Sequence, residues 1–144
     1  MCSIYDLVKD QEMCVATVTD SVMQVARAMV ERNIGAVPVV REGKLAGVFS
    51  ERDLMRRIVV EGRDPRTTTV GEVMTPEPLS VSRSDDLEHC LRLMREHGFR
   101  HLPVCEGEKL LGFVSLRDML LRDLSEKDDE VRLMRAYIHS APEL

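Results

Sequence analysis

The chain has 144 residues, of which 44% are hydrophobic, 3% aromatic and 31% charged, and its formal net charge is −5. This length suits one compact domain or two very small ones, and the acidic balance argues against nucleic-acid binding, which needs a basic surface. No apolar run approaches the ~20 residues of a membrane span, and no signal-peptide core opens the sequence. The sequence therefore predicts a cytoplasmic protein with no membrane or nucleic-acid partner.

An internal repeat organises the chain. Residues 19–54 align without a gap with residues 84–119, and 12 of the 36 aligned pairs are identical. A repeat this short cannot usually bury its apolar face alone, so we expect the two copies to depend on each other. The predicted organisation is an N-terminal segment 1–13, a first repeat 14–62, a linker 63–78, a second repeat 79–124 and a C-terminal amphipathic helix 125–144.

Each copy begins with a predicted helix. Thr19 and Ser84 are suitable N-caps, and acidic residues follow them where a first helical turn favours negative charge. Apolar residues then recur at i, i+3 and i+4, as on one buried helical face. Asn33 and Gly98 align with each other, and both residue types tolerate the left-handed conformation that ends a helix.

Two short apolar runs follow each helix, joined by a polar turn that contains Gly43 or Gly107. This pattern predicts a β-hairpin, with short additional strands at 14–18 and 79–82. A second helix is predicted to start at Ser50 and at Ser115. The fold class is therefore α/β (α+β), and each repeat reads helix–strand–strand–helix with an added short strand. One helical turn is expected near 70–74.

Cysteine and histidine spacing gives no sign of a metal centre. The four cysteines, Cys2, Cys14, Cys90 and Cys105, form no C-x-x-C pair. Cys90 falls at a core-facing position of a predicted helix and Cys105 in a predicted strand, which favours buried, reduced thiols over a disulfide or a zinc site. His97 and His101 have the spacing of a helical metal pair, but the glycine between them argues against a helix, so no metal site is predicted.

A short motif occurs twice, as GVFSERD at 47–53 and GFVSLRD at 112–118. In a structural interpretation the serine and aspartate form a capping box at a helix start, which contributes roughly 1 kcal/mol. In a functional interpretation, the helix start, the serine and the arginine bind a phosphate, and the aspartate accepts hydrogen bonds from ribose hydroxyls. The strand that contains Pro38 or Pro103 then forms an apolar wall for a flat base. Local spacing leaves both interpretations open.

The two helix–strand–strand–helix copies, each with a Pro-Val step and then Gly-h-h-Ser-x-x-Asp, resemble the CBS domain. The resemblance spans about Cys14 to Leu124, includes the intervening VMTPEP segment, and is that of a tandem pair, or Bateman module. Bacterial and plant stand-alone CBS-pair proteins are similar. The resemblance implies two pseudo-symmetric repeats packed through their sheets, with two clefts that bind AMP, ADP, ATP, S-adenosylmethionine or NAD-type ligands.

Carried over to this sequence, the resemblance implies a set of ligand-binding residues. The expected roles are ribose binding for Asp53 and Asp118; phosphate binding for Ser50, Arg52, Ser115 and Arg117; base-slot lining for Ala36, Val37, Pro38, His101, Leu102 and Pro103; and positions at the cleft mouths for Thr19, Asp20, Ser84 and Asp85. The two sites are expected to be unequal, because Glu51 aligns with Leu116 and Ala36 with His101.

The leading hypothesis is a non-catalytic regulatory sensor that binds an adenine nucleotide, AMP foremost, and signals energy or redox state to an unknown protein target. No catalytic constellation and no catalytic cofactor are predicted. The alternatives are an interaction scaffold with empty clefts, or a small enzyme or redox protein that uses Cys2 or Cys14. A homodimer is also expected, because the predicted helices at 50–60 and 115–123 carry apolar stripes that need cover.

Overall fold

The computed structural model describes residues 3–124 and 134–138. Its elements in chain order are α1 (Ile4–Val8), β1 (Ala16–Thr17), α2 (Val22–Arg32), β2 (Ala36–Arg41), β3 (Lys44–Ser50), α3 (Glu51–Asp53) continued by a π-helical segment (Leu54–Val59), α4 (Val70–Val73), β4 (Thr75–Pro76), β5 (Val81–Ser82), α5 (Leu87–His97), β6 (His101–Glu106), β7 (Lys109–Ser115) and α6 (Leu116–Leu124). These elements form a mixed α/β fold, as the sequence predicts.

The described residues divide into two compact units, each built around one repeat. The first unit contains residues 12–79 and 107–110, and the second contains the described residues within 1–11, 80–106 and 111–144. The N-terminal segment therefore belongs with the second repeat, although it precedes the first repeat in the chain. The linker helix α4 belongs with the first repeat, although it leads into the second.

The sheet of the first unit has the order β1-β2-β3, with β4 on the other side of β3. β1 is parallel to β2, and β2 and β3 form the predicted antiparallel hairpin. The hairpin closes through a two-residue turn, in which Glu42 and Gly43 both have positive φ (52° and 79°). This backbone conformation is characteristic of tight hairpin turns and explains the glycine there.

The second unit repeats this arrangement with β5, β6 and β7. β5 is parallel to β6, with Val81 opposite Val104, and β6 is hydrogen-bonded to β7. The predicted extra strands at 14–18 and 79–82 correspond to the short strands β1 and β5. Each unit has its own hydrophobic core, which includes the fully buried Phe49 in the first unit and the fully buried Leu102 in the second.

The start of the first helix in each repeat differs from the prediction. The N-caps are Ser21 and Asp86, two residues after the predicted Thr19 and Ser84. The reason is a turn before each helix, in which the carboxylate of Asp20 accepts from the Thr17 amide (2.9 Å); Asp85 and Ser82 make the equivalent bond. The predicted helix ends are confirmed, because Asn33 and Gly98 are both left-handed C-caps.

The helix after Ser50 is irregular. α3 makes only one α-helical turn, and Leu54–Val59 continues as a π-helix. π-Helical segments are rare and are found frequently at functional sites. Sequence periodicity gave no indication of this change, because it distinguishes a helix from a strand but not one helical hydrogen-bonding pattern from another.

The helices α1 and α4 are equivalent in the two units. The amide of Ile4 donates to the carbonyl of Asp85 (2.8 Å), and the amide of Val70 donates to the carbonyl of Asp20 (2.8 Å). Both helices have a capping box at their start. The structural repeat is therefore longer than the alignment of 19–54 with 84–119 indicates.

α1 also covers β7. Its residues Ile4 and Val8 are buried in the core of the second unit. Beyond it, the side-chain amide of Gln11 donates to the carbonyl of Phe113 (2.7 Å) and accepts from its amide (3.0 Å). Gln11 thereby pairs with β7 as a neighbouring strand would.

The predicted C-terminal helix lies largely outside the described residues. Residues 134–138 are helical. Tyr137 is half-buried and packs against the core of the second unit, whereas Ile138 is exposed.

Candidate functional site

The repeated motif of the first unit lies where β3 passes into α3. Ser50 is extended and caps α3, and it lies opposite Ala36, the first residue of β2. The amide of Glu51 donates to the carbonyl of Gly35 (3.0 Å), which fixes the start of β2 against the motif. The structure thus brings the predicted phosphate-binding turn and the predicted base-slot strand together within one unit.

Asp53 is buried, with 7% of its surface exposed, and both of its carboxylate oxygens accept hydrogen bonds from the chain. One oxygen accepts from the amide (2.9 Å) and the hydroxyl (3.1 Å) of Ser50. The other accepts from the hydroxyl of Thr75 (3.1 Å) and lies 3.9 Å from Nε of Arg57. The capping-box geometry of the structural interpretation is therefore present here.

Arg57 and Thr75 connect this motif to the segment 70–76, and the repeat pattern of the sequence predicts a role for neither residue. The guanidinium of Arg57 donates to the carbonyls of Val73 (3.0 Å) and Met74 (2.7 Å), at the end of α4. Arg57 lies one helical turn after Asp53, a spacing that could have indicated an ion pair. Nothing in the local sequence indicates Thr75, because its contact depends on the pairing of β4 with β3.

The motif of the second unit has the same backbone path but a different environment. The Asp118 amide donates to the Ser115 hydroxyl (3.0 Å), and the Ser115 amide donates to the Asp118 carboxylate across a longer 3.4 Å. Asp118 is exposed, whereas its counterpart Asp53 is buried. The amide of Leu116 donates to the carbonyl of Arg100 (2.8 Å), which repeats the contact between Glu51 and Gly35.

The arginines of the two motifs, Arg52 and Arg117, are both exposed. Each follows the first residue of its helix, next to the capping serine. An exposed guanidinium at a helix start can meet an anion with little reorganisation. This placement is compatible with the phosphate role that the resemblance implies.

The predicted base slots are lined by backbone more than by side chains. Val37 and Leu102 point into the cores of their units, and Pro38 and Pro103 are buried. His101 is half-buried, and its ring stacks on Phe113 with centroids 5.5 Å apart.

At the start of each slot strand, one backbone edge has no strand paired with it in the described part of the chain, and the residues there are buried, with Ala36, Val37 and Leu102 at most 3% exposed. Among the described residues, β1 pairs with β2 only at Val39 and Val40, and β5 pairs with β6 only at Val104 and Cys105. The first three residues of β2 and of β6 therefore lack a neighbouring strand on that side. A free backbone edge can read the edge of a base by hydrogen bonds.

The cleft-mouth residues Thr19, Asp20, Ser84 and Asp85 form the turns that precede α2 and α5. The hydroxyls of Thr19 and Ser84 contact the hydroxyl two residues before each, at 3.4 and 3.1 Å. The carboxylates of Asp20 and Asp85 hold the same turns. Their structural role is thus explicit, and a ligand contact for them stays a prediction.

A cavity of about 110 Å³ lies beside Asp20 in the first unit. Its lining comprises Cys14, Val15, Ala16, Asp20, Gln24, Val25, Ala28 and Val37. Ligand pockets are usually ~300–1,000 Å³, so this volume suits a few water molecules and is too small for a nucleotide. It does not by itself constitute the candidate site.

The thiols of the second unit are placed for packing. Burial raises the pKa of the Cys90 thiol to about 12, with a further contribution from the nearby carboxylates of Asp85 and Asp86. Burial also raises the pKa of the Cys105 thiol. Because the thiolate is the reactive form, neither residue is a candidate nucleophile at neutral pH.

The histidines do not form the helical metal pair. His97 is the last residue of α5 and His101 the first of β6, with the left-handed Gly98 between them. Within residues 3–124 and 134–138, no group of three or more His, Cys, Asp or Glu side chains is placed to bind a metal.

Comparison with known proteins identifies the family. The CBS domain model matches residues 6–60 and 70–125, so the chain belongs to the CBS domain family and contains two CBS domains. A curated relative is the mitochondrial CBS domain-containing protein CBSX3 of Arabidopsis thaliana, 34% identical over 127 residues, which are 85% of this chain and 62% of the relative. The chain thus spans less than two thirds of that relative's length.

Solved structures agree with this assignment. A protein with CBS domains from Burkholderia ambifaria superposes with a TM-score of 0.79 and 32% identity, covering 86% of this chain and 95% of that one. CBSX2, solved in complex with AMP, superposes with a TM-score of 0.75 and 28% identity, covering 88% of this chain and 99% of CBSX2. The predicted family and fold class are therefore confirmed.

Membrane insertion by a helix finds no support in the described part of the chain. None of its helices is long and apolar enough to cross a membrane.

Proposed function

We propose that the chain is a non-catalytic regulatory module that binds an adenine nucleotide, AMP foremost, and signals energy or redox state to a protein target in the cytoplasm. One observation carries this proposal. In each unit a Ser-x-Arg-Asp turn lies beside a strand start that, among the described residues, has no paired strand on one side, at Ala36–Pro38 or His101–Pro103. The turn offers donors for a phosphate, and the strand edge offers fixed groups that can read a base.

The CBSX2 structure supports this choice of ligand, since a protein 28% identical to this chain was solved with AMP. In the proposed site Asp118 accepts from the ribose hydroxyls, Arg117 and Ser115 meet the phosphate, and the backbone of His101–Pro103 meets the base. These roles follow from the residue chemistry: a carboxylate accepts from two hydroxyls, and a guanidinium donates to phosphate oxygens.

Thermal melting with a set of ligands tests the proposal. A ligand at a hundredfold excess over its Kd stabilises the folded state by about 2.7 kcal/mol, which corresponds to a shift of roughly 5–10 °C. AMP, ADP, ATP, NADH and S-adenosylmethionine are compared with GMP, whose base has the reversed hydrogen-bond pattern, and with adenosine, which lacks the phosphate. We expect AMP to raise the melting temperature more than either GMP or adenosine does. If no adenine compound moves the melting temperature at millimolar concentration, the sensor function is wrong.

An interaction scaffold with unoccupied sites is the second candidate. The observation that favours it is the engagement of Asp53, whose two carboxylate oxygens both accept hydrogen bonds within the chain. A scaffold would give no thermal shift with any nucleotide and would still associate with its partner.

We also propose a homodimer. The apolar stripe predicted on the helix at 50–60 is partly buried within the chain, since Ile58 lies in the core of its unit and Leu54 packs against this core. A different face of the same segment is exposed, with Met55 at 63%, Val59 at 68% and Val60 at 77% of their surfaces. Contiguous apolar groups on an exposed helix are typical of an interface.

Light scattering tests the dimer with a pair of matched variants. Val59→Lys places a charge on the proposed interface and should give a monomer mass at micromolar concentration. Val30→Lys is the control, because Val30 is also exposed (80%) but lies on α2. A monomer mass for the parent chain would contradict the proposal.

A further inference from the structure

The carboxylates of the two motifs differ in how many acceptor positions the chain itself uses. A carboxylate offers about four lone-pair sites. At Asp53 two are taken by the Ser50 amide and hydroxyl, one by the Thr75 hydroxyl, and Arg57 lies beside the same oxygen as Thr75. Ribose hydroxyls could bind there only after at least one of these contacts was broken.

Asp118 is in the opposite situation. Its carboxylate is exposed, and the contact that the described residues make with it is the 3.4 Å bond from the Ser115 amide. A hydrogen bond of that length is weak. The Asp118 carboxylate therefore has acceptor positions for two ribose hydroxyls without loss of a short internal bond.

Charge distinguishes the motifs in the same direction. The carboxylate of Glu51 lies over Gly35, with one oxygen 3.2 Å from the point where a Cβ on Gly35 would stand. This places a negative charge at the start of the β2 slot, next to Ser50 and its helix start. An anionic phosphate would be repelled there.

The second motif lacks this negative charge. Leu116 replaces Glu51 and is buried, and Arg100 replaces Gly35. Within the motif, the exposed Arg117 is accompanied by one carboxylate, that of Asp118, whereas its counterpart Arg52 is accompanied by the two carboxylates of Glu51 and Asp53. A phosphate is attracted to such a site.

We propose that the chain binds one phosphate-bearing adenine nucleotide, at the Ser115–Asp118 motif, and that the Ser50–Asp53 motif is a structural lock. In the lock, Asp53 ties the start of α3 to Thr75, while Arg57 holds the end of α4. This inference rests on the proposed function and assigns it to one of two similar motifs.

Calorimetric titration of the full chain with AMP tests the assignment. We expect one AMP per chain for the parent. Asp118→Asn removes the charge and one strong acceptor while keeping the shape of the cap, and it should weaken AMP binding about tenfold to a hundredfold. Asp53→Asn should leave the stoichiometry at one and the Kd within about threefold, and should lower the melting temperature, because the Arg57 and Thr75 contacts lose a charged partner.

Thr75→Val provides a milder variant in case Asp53→Asn fails to fold. It removes only the hydroxyl that donates to Asp53, so it should lower the melting temperature and leave AMP binding unchanged. Two AMP molecules per chain, or a loss of AMP affinity in Thr75→Val or Asp53→Asn, would overturn the assignment and leave the sensor function in place. Absence of binding to the parent would overturn both.

Discussion

Gly112→Ala is the sharpest test of how the N-terminal segment is held. A Cβ added at Gly112 would lie 2.3 Å from Cβ of Val8, and 2.6 and 2.8 Å from its two methyl groups. Carbon atoms pack at about 3.5–4.0 Å, so α1 would have to move away from β7 by more than about 1 Å. Rotation of the Val8 side chain cannot relieve this contact, because the Cβ of Val8 is attached directly to the backbone of α1.

The magnitude follows from what α1 contributes. Overpacking of a core typically costs about 1–3 kcal/mol. If α1 detaches instead, the burial of Ile4 and Val8 is lost, at ~1.5–3 kcal/mol each, together with the two Gln11 hydrogen bonds to Phe113, at ~1 kcal/mol each. Overpacking is the less costly response, so we expect a loss in the upper part of its range, about 2–3 kcal/mol, and a melting temperature roughly 4–12 °C lower.

Thermal and urea unfolding followed by circular dichroism measure this loss. Gly35→Ala is the matched control, because the atoms nearest to its new Cβ belong to the carboxylate of Glu51, at 3.2 Å, at the end of a flexible side chain, and it should change stability by less than ~1 kcal/mol. If Gly112→Ala melts within about 2 °C of the parent, α1 does not lie on β7 and the reasoning fails.

Three further predictions test other contacts. Gly47→Ala should destabilise about as strongly as Gly112→Ala, because its Cβ would lie 2.6 Å from the backbone oxygen of Thr75. Ser21→Ala should cost ~1 kcal/mol in urea unfolding and Thr19→Ala less than half of that, and the reverse order would restore the predicted cap. The free energy of unfolding should fall as pH rises from about 9 to 12, and it should fall more steeply in the parent than in Cys90→Ala. The reason is that the unfolded chain loses the Cys90 proton near the ordinary thiol pKa of 9.0, whereas the folded chain keeps this proton up to a pKa of about 12. Equal slopes for the two proteins would contradict the burial of this thiol.

The sequence predicts the elements well where local chemistry determines them. The alternation of helical and apolar segments located both hairpins and all four helices of the repeats, and Asn33 and Gly98 end the first helices as expected. The predicted N-caps of the first helix in each repeat, Thr19 and Ser84, were wrong because the carboxylates of Asp20 and Asp85 accept hydrogen bonds from the turn before the helix and not from the helix itself. Thr and Asp can do either, and spacing alone does not choose between the two.

Predictions about the site were limited by contacts distant in sequence. The motif and its serine cap were located from the spacing, but the engagement of Asp53 depends on Thr75, 22 residues later. The position of α1 against β7 joins Gln11 to Phe113, 102 residues apart. The alignment of the two repeats contains no signal for pairings between residues so distant in sequence. It therefore did not reveal that Asp53 is buried while Asp118 is exposed.

The placement of α1 and α4 has a consequence for dividing the chain. Each repeat is covered by the short helix that leads into the other repeat, since α1 precedes the first repeat but packs with the second, and α4 does the converse. A cut between Asp64 and Thr67 would therefore give two fragments that each carry the cover required by the other. Neither fragment would be complete alone, and re-association of the separated halves would be needed to restore both cores.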